Sequence, residues 1–180
     1  PSRAKPSSGR RRALAEWITS PNHPLTARVM INRLWHFHFG RGIVNTPSNF
    51  GRTGSPPIYP KPLDWLAIEF LRNGWSIKDM HRLVMNSETY QMASVFDHPQ
   101  NREKDPAEKY LWRFPERRLE AEIIRDLILD ASGKLNRKIG GRPFFPPIPE
   151  TILKSYPRGK WTMNAPGPAV WRRSIYSYWT

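Results

Sequence analysis

Residues 25–40 read LTARVMINRLWHFHFG, and this stretch decides the fold class. At 100° per residue, Ala27, Met30, Ile31, Leu34 and Phe37 fall on one side of a helix, with Arg28, Asn32 and His36 as a polar stripe opposite. Pro24 suits a first helical turn, and Gly40 is the residue type that stands just past a helix end. The pattern predicts a helix from Leu25 to Phe39.

Working outward, the same period recurs four more times. Ala13, Leu14, Trp17 and Ile18 predict a short amphipathic helix that stops at Ser20-Pro21, after a polar lead-in over 1–9. Leu63, Leu66, Ala67, Phe70 and Leu71 predict another, ending at Asn73-Gly74. Ser76 followed by Asp79 is a helix-start signature, and Ile77, Met80, Leu83 and Val84 supply the buried face beyond it. Leu119, Ile123, Ile124, Leu127, Ile128 and Ala131 predict a fifth helix between Arg117 and Ser132, closed by Gly133.

Between these lie segments that cannot be regular. Residues 40–62 hold four Gly and five Pro in 23 positions, a connection too long for a compact domain unless it is functional or covered. Residues 97–109, charged and carrying Pro99 and Pro106, read as a surface loop. Residues 139–168 form a Pro-rich arm with seven Pro and four Gly, expected to drape over a core through Phe144, Phe145, Tyr156 and Trp161. The closing stretch 172–179 alternates weakly and reads as strand or helix. The expected fold is mainly α: about five helices with two long Pro/Gly-rich irregular segments, in a single domain over 1–180.

Composition narrows the function classes. The 180 residues carry 29 Lys plus Arg against 15 Asp plus Glu, a net charge of +14, with 38% hydrophobic residues, too many for a disordered basic tail. With no Cys, the chain has no disulfide framework, thiol nucleophile or haem-attachment motif of its own. No apolar run approaches the roughly 18–20 residues of a membrane helix. Pro1 in place of Met and the lack of an apolar leader suggest a piece of a longer protein, expected to continue beyond Thr180.

Catalytic motifs are missing: there is no Gly-x-Ser-x-Gly, Walker loop, His-Glu-x-x-His or dinucleotide fingerprint. His36 and His38 lie about 200° apart on a helix and cannot share one ion, so no metal site is expected, and His38 reads as a hydrogen-bonded core histidine. Arg28, Asn32 and His36 could cradle an anion beside the glycine turn; the alternatives are a solvated polar face or hydrogen bonds that pin the long loop. Glu122, Asp126 and Asp130 form a carboxylate ladder, read as an ion-paired face with Arg118, Arg125 and Lys134 at helix salt-bridge spacing. Asp64 reads as an early-turn carboxylate facing the positive helix end. Eight Trp among Lys and Arg raise nucleic-acid binding, but Trp17, Trp35 and Trp65 sit beside apolar residues and read as packing groups.

Taken in order, a set of short motifs resembles the planctomycete-secreted domain family, a family of unknown function. They begin with Pro24-Leu25-Thr26-Ala27-Arg28-Val29, Asn32-Arg33, Trp35, Phe39-Gly40-x-Gly42 and Phe50-Gly51. They continue with Leu63-Asp64-Trp65-Leu66-Ala67, Glu69-Phe70, Gly74-Trp75-Ser76 and Ser87-x-Thr89-Tyr90. Arg117-Arg118-Leu119, Ala121-Glu122, Ile124-Arg125-Asp126, Ser132-Gly133 and Arg172-Arg173-Ser174-Ile175-Tyr176 complete them. Asn49, Tyr59 and Gln91 stand where the family tends to have Asp, a His-Pro pair and Arg. The resemblance implies a secreted or cell-envelope location, C-terminal truncation, and cytochrome-like domains elsewhere in the parent protein. Any haem would therefore lie in those other domains.

Charge is laid unevenly along the chain. Residues 1–62 hold 10 basic and 1 acidic residue, 63–135 hold 11 and 13, and 136–180 hold 8 and 1. Two basic end regions thus flank a near-neutral centre, which favours an acidic surface over nucleic acid as partner. The expectation is a non-catalytic module that docks another domain of the same polypeptide or an acidic polysaccharide. The residues expected to do so are Arg28, Asn32, Arg33, His36, Arg41, Arg52, Arg172 and Arg173, through charge-assisted contacts. The alternatives are part of an extracellular redox or hydrolytic assembly whose haem or metal sits in another domain, and nucleic-acid binding.

Overall fold

The computed structural model describes residues 8–154 and 161–178. Tyr156, Trp179 and most of the lead-in lie outside the described residues. Among the described residues the chain is mainly helical and forms two compact units, Pro1–Arg117 and Arg118–Thr180.

Unit 1 carries five helices: α1 (Arg10–Ile18), α2 (Thr26–Phe39), α3 (Pro60–Arg72), α4 (Ile77–Met85) and the short α5 (Pro99–Lys104). Its core joins Ala27 and Ile31 of α2 to Leu63, Leu66, Ala67 and Phe70 of α3, with Met80 of α4 beneath them. The α3 residues stand at the i, i+3, i+4, i+7 spacing that makes one helical stripe, and fully burying a side chain such as Phe70 stabilises by roughly 1.5–3 kcal/mol. Pro60 and Pro62 start α3 earlier than the apolar pattern alone indicates, since the first turn needs no N–H from them. At the other end Gly74 and Trp75 both take positive φ, 61° and 63°, reversing the chain so that Trp75 lies edge-on to Phe70 with ring centroids 5.2 Å apart. Ser76 then caps α4, its hydroxyl accepting from the Asp79 N–H at 3.3 Å.

Three local readings need correction in unit 1. The 97–109 segment is not all loop: Pro99 opens α5 and the His98 ring caps it by accepting from the Asn101 N–H at 3.4 Å. Two positions of α2 depart from the wheel: Phe37 of the apolar side is 65% exposed, while Asn32 of the polar stripe is 0% exposed. Trp17 and Trp65 are exposed and pack no core, whereas Trp35 and Trp75 lie against it.

Asn32 explains how the long 40–62 segment is held. Its Nδ2 donates to the Val44 carbonyl at 3.0 Å and its Oδ1 accepts from the Val44 N–H at 2.7 Å. A buried irregular backbone needs both a donor and an acceptor, and one amide supplies them. Ile43 and Val44 can then enter the core. Gly42 permits the approach: a Cβ there would stand 2.6 Å from the Val44 oxygen and 2.7 Å from Asn32 Nδ2. Further along, Asn49 orders the next bend, its Oδ1 accepting from the Gly51 N–H at 3.0 Å and its Nδ2 donating to Thr53 Oγ1 at 3.0 Å.

Unit 2 contains α6 (Ala121–Ala131), the short α7 (Glu150–Lys154) and a 3-10 turn at Ser174–Tyr176. Its closing segment, which the sequence leaves open as strand or helix, is that short 3-10 turn flanked by isolated parallel bridges, Asn136 with Arg172 and Phe144 with Ser177. The carboxylate ladder of α6 is ion-paired only in part: Asp126 lies 3.5 Å from Arg125, one of the expected cations, while Glu122 makes no ion pair among the described residues. Asp130 takes Arg137 at 2.6 Å, and Lys134 lies over the Trp171 ring at 5.5 Å. Asp126 Oδ1 accepts from both the N–H and the hydroxyl of Ser174, at 2.8 and 2.7 Å. Arg125 donates to the carbonyls of Arg172 and Val170 and to Ser174 Oγ. The apolar residues of α6 do not make a buried face: Leu127 and Ile128 are 53% and 63% exposed, and no α6 residue is buried.

Candidate functional site

The end of α2 opens onto a cleft within unit 1. Gly40 terminates the helix at φ 76°, its N–H donating to the His36 carbonyl at 2.8 Å, and the chain turns through Arg41 and Gly42 into the buried Ile43. The facing wall is the 107–117 segment, which carries two non-glycine residues at positive φ, Glu108 at 51° and Leu111 at 46°. Such residues cost of order 1–3 kcal/mol each and need contacts that impose them. Buried Asp105 supplies two, its carboxylate accepting from the Tyr110 N–H at 2.8 Å and its carbonyl from Trp112 Nε1 at 3.3 Å. Arg113 supplies another by pairing with Glu108.

The cleft between these walls has a volume of about 210 Å³ and is lined by Trp35, Phe39 and Tyr59 together with Arg41, Lys109 and Arg117. Arg41 is steadied by one bond, Nη1 to the Ala107 carbonyl at 3.2 Å, leaving its other donors for a ligand. Glu116 and Glu108 also line it, but Glu108 is already neutralised by Arg113. Burial, Asp105 and Tyr110 push the Tyr59 phenol above its usual value of 10.0, so Tyr59 stays protonated and donates to the Lys109 carbonyl at 3.4 Å. The arrangement offers three cations and aromatic surface, with the Glu116 carboxylate also in the lining.

Behind this end of α2, His38 Nε2 meets His81 Nδ1 at 2.7 Å, and the His38 ring stands edge-on to Tyr90. One ring must present N–H and the other a bare nitrogen, so His38 is the hydrogen-bonded histidine the sequence reading expects. Burial, then His81, then Arg117 hold the His38 imidazole below its usual 6.5. A folded-state value below the unfolded one means that the unfolded chain takes up the proton first as pH falls. The thermal midpoint is therefore expected to drop as pH is lowered through about 6.5, and His38→Gln to flatten that dependence. Equal slopes in the two proteins, measured by scanning calorimetry, would remove His38 as the cause.

The residues singled out in the sequence do not converge. Arg28 pairs with Asp64 of α3 at 2.6 Å and donates to the Pro24 carbonyl, so Asp64 is a cross-helix partner rather than an early-turn carboxylate. The pair is partly exposed and is worth no more than about 1 kcal/mol. Asn32 pins the loop. His36 is half-buried beside Phe37, and Arg33 and Arg52 are exposed. Arg41 lines the cleft. In unit 2, Arg173 is exposed, while Arg172 is only 7% exposed and donates to the carbonyls of Lys138, Gly140 and Arg142. An internal role for Arg172 means that its charge reversal would disturb folding, contrary to the expectation of a surface docking group. Lys109 and Arg117 were not anticipated as site residues. Arg117 lay in a motif of the resemblance, and Lys109 carried no signal in a charged, loop-like segment.

With this geometry in view, the comparison with known families is decisive on kinship. The family model described as PSD1, protein of unknown function (DUF1553), matches residues 10–180. The chain belongs to the PSD1 family. No curated protein and no solved structure matches it. Two pairs of distant motifs in this PSD1 chain meet in space: Asn32 with the Gly40-x-Gly42 turn, and Arg125-Asp126 with Ser174. Both junctions are made by side-chain hydrogen bonds to backbone groups.

Proposed function

We propose that this domain is a non-catalytic binding module whose unit 1 cleft receives an acidic group from its partner. The observation that carries this reading is the trio Arg41, Lys109 and Arg117 at one cleft, with aromatic surface from Trp35 and Tyr59 beside them. A carboxylate or sulfate entering there gains charge-assisted hydrogen bonds, and the apolar body that bears it packs against the rings. Exposed Arg33 and Arg52 add to the basic character of the same 1–62 region. The partner is an acidic polymer or a neighbouring acidic domain of the same polypeptide, and the family resemblance supports a secreted or cell-envelope setting for it.

The test is retention on an immobilised acidic polysaccharide at moderate salt, compared with single- and double-stranded DNA. Charge reversal at exposed Lys109 and Arg117 (Lys109→Glu with Arg117→Glu) is expected to weaken polysaccharide binding at least about tenfold, while the thermal midpoint stays within a few degrees. Unchanged retention removes the cleft as the site. Tight binding to DNA with a steep salt slope, lost in the same variant, would favour nucleic acid instead.

A further inference from the structure

Unit 2 holds a second concentration of positive charge, of a different kind. A cavity of about 320 Å³ opens over Arg172, lined also by Lys138, Gly140, Gly141, Arg142 and Asn136, and no carboxylate lines it. Arg172 is 7% exposed and makes no ion pair among the described residues. Its Nη1 and Nη2 reach the carbonyls of Arg142, Gly140 and Lys138, its Cζ lies 3.8 Å from the Tyr176 ring centroid, and its Nε has no hydrogen-bond partner. Carbonyl dipoles and a ring face solvate a guanidinium but do not cancel its charge.

A buried cation without a counter-ion is costly, and two further cations on the same loop raise that cost. Lys138 and Arg142 have no carboxylate partner among the described residues, and both are exposed at the cavity. Of the acidic residues of unit 2, Asp126 is engaged with Ser174 and Arg125 and Asp130 with Arg137, and none of Glu120, Glu122 and Glu150 lines the cavity. Gly140 and Gly141, at φ 78° and 92°, form the lip of the cavity without side chains, so a ligand can approach the loop backbone closely. Two exposed cations and the buried Arg172 thus share one cavity lining that contains no carboxylate.

We infer that this cavity is a binding site for a tetrahedral oxyanion, a sulfate or phosphate group, held by Lys138 and Arg142 over the field of Arg172. The cavity exceeds the volume of a bare oxyanion several times over, so it accommodates the ester that bears one. The site shares no residue with the unit 1 cleft and stands independently of the function proposed there.

The experiment titrates the full chain with inorganic sulfate, inorganic phosphate and, at matched ionic strength, chloride. Binding is read by the amide resonances of Gly140 and Gly141 and by the thermal midpoint. The expected result is saturable shifts of both glycine amides with sulfate or phosphate, a rise in midpoint that grows with anion concentration, and neither with chloride. Lys138→Gln with Arg142→Gln, both exposed and outside the fold-holding contacts, is expected to weaken binding at least about tenfold. Equal responses to chloride, or undiminished affinity in that double variant, would overturn the inference. A sulfated oligosaccharide and a phosphorylated one of equal charge, added separately, then identify the source: the ester that competes with the inorganic ion at lower concentration is the ligand class. Failure of both to compete would also overturn it.

Discussion

Asn32→Ala is expected to lower the thermal midpoint of the chain by about 10–20 °C. The substitution leaves the Val44 N–H and C=O inside the core without partners, and each unsatisfied buried group costs about 1–3 kcal/mol. Together that is about 2–6 kcal/mol, and each kcal/mol moves the midpoint of a unit of this size by several degrees. Asn32→Asp should do little better, because it keeps the acceptor for the Val44 N–H but turns a second acceptor toward the Val44 carbonyl. Gly42→Ala attacks the same junction from the other side, forcing a methyl to 2.6 Å from the Val44 oxygen. Since both changes break one contact, the double variant should cost clearly less than the two single losses added. Additive losses, or a shift of under about 2 °C for Asn32→Ala, would show that the loop is held by something other than this amide.

The Asn32 case also shows where sequence periodicity stops. Its position on the face opposite Ile31 and Leu34 gave it the look of a solvated polar stripe, because the wheel places residues relative to a presumed apolar core. The stripe in fact faces the 40–62 backbone, which presents peptide groups instead of side chains, and an amide is the complement of a peptide. Pinning of the loop is one of three readings the spacing leaves open for this stripe, beside a solvated face and an anion cradle. By contrast, the α3 stripe and the Ser76 cap were fully legible, since helix period and capping depend only on neighbours along the chain. The cleft was not legible. It depends on Arg41 meeting Lys109 and Arg117 across some 70 residues, through a segment whose positive-φ turns at Glu108 and Leu111 have no glycine to mark them. The exposed apolar residues of α6 lie at the same limit, for a periodic apolar pattern predicts a helix but does not say what covers it.

Asp126→Ala is expected to release the closing segment of unit 2 from α6. Only Phe144 and Val170 are buried apolar residues there among the described residues, so little hydrophobic burial holds this unit together. The connection rests instead on polar contacts at one point: Asp126 accepting twice from Ser174, and Arg125 reaching the Val170 and Arg172 carbonyls and Ser174 Oγ. Hydrogen bonds to charged groups contribute about 1.5–3 kcal/mol each, so losing the two that this carboxylate accepts should cost about 3–6 kcal/mol. It also leaves the half-buried Arg125 guanidinium without the nearby negative charge, 3.5 Å away. Asp126→Asn separates the two effects, because its amide oxygen still accepts from Ser174 while the charge is gone; it should lose roughly half as much. The measurement is amide hydrogen exchange at Ser174, Tyr178 and Phe144, whose bonds lie in or next to this segment. Exchange accelerated at all three in Asp126→Ala, with unit 1 amides unchanged, is the expected pattern. If protection at these amides persists, Phe144 and the parallel bridges hold the segment on their own, and the clasp of the Ile124-Arg125-Asp126 motif on Ser174 is not what closes unit 2.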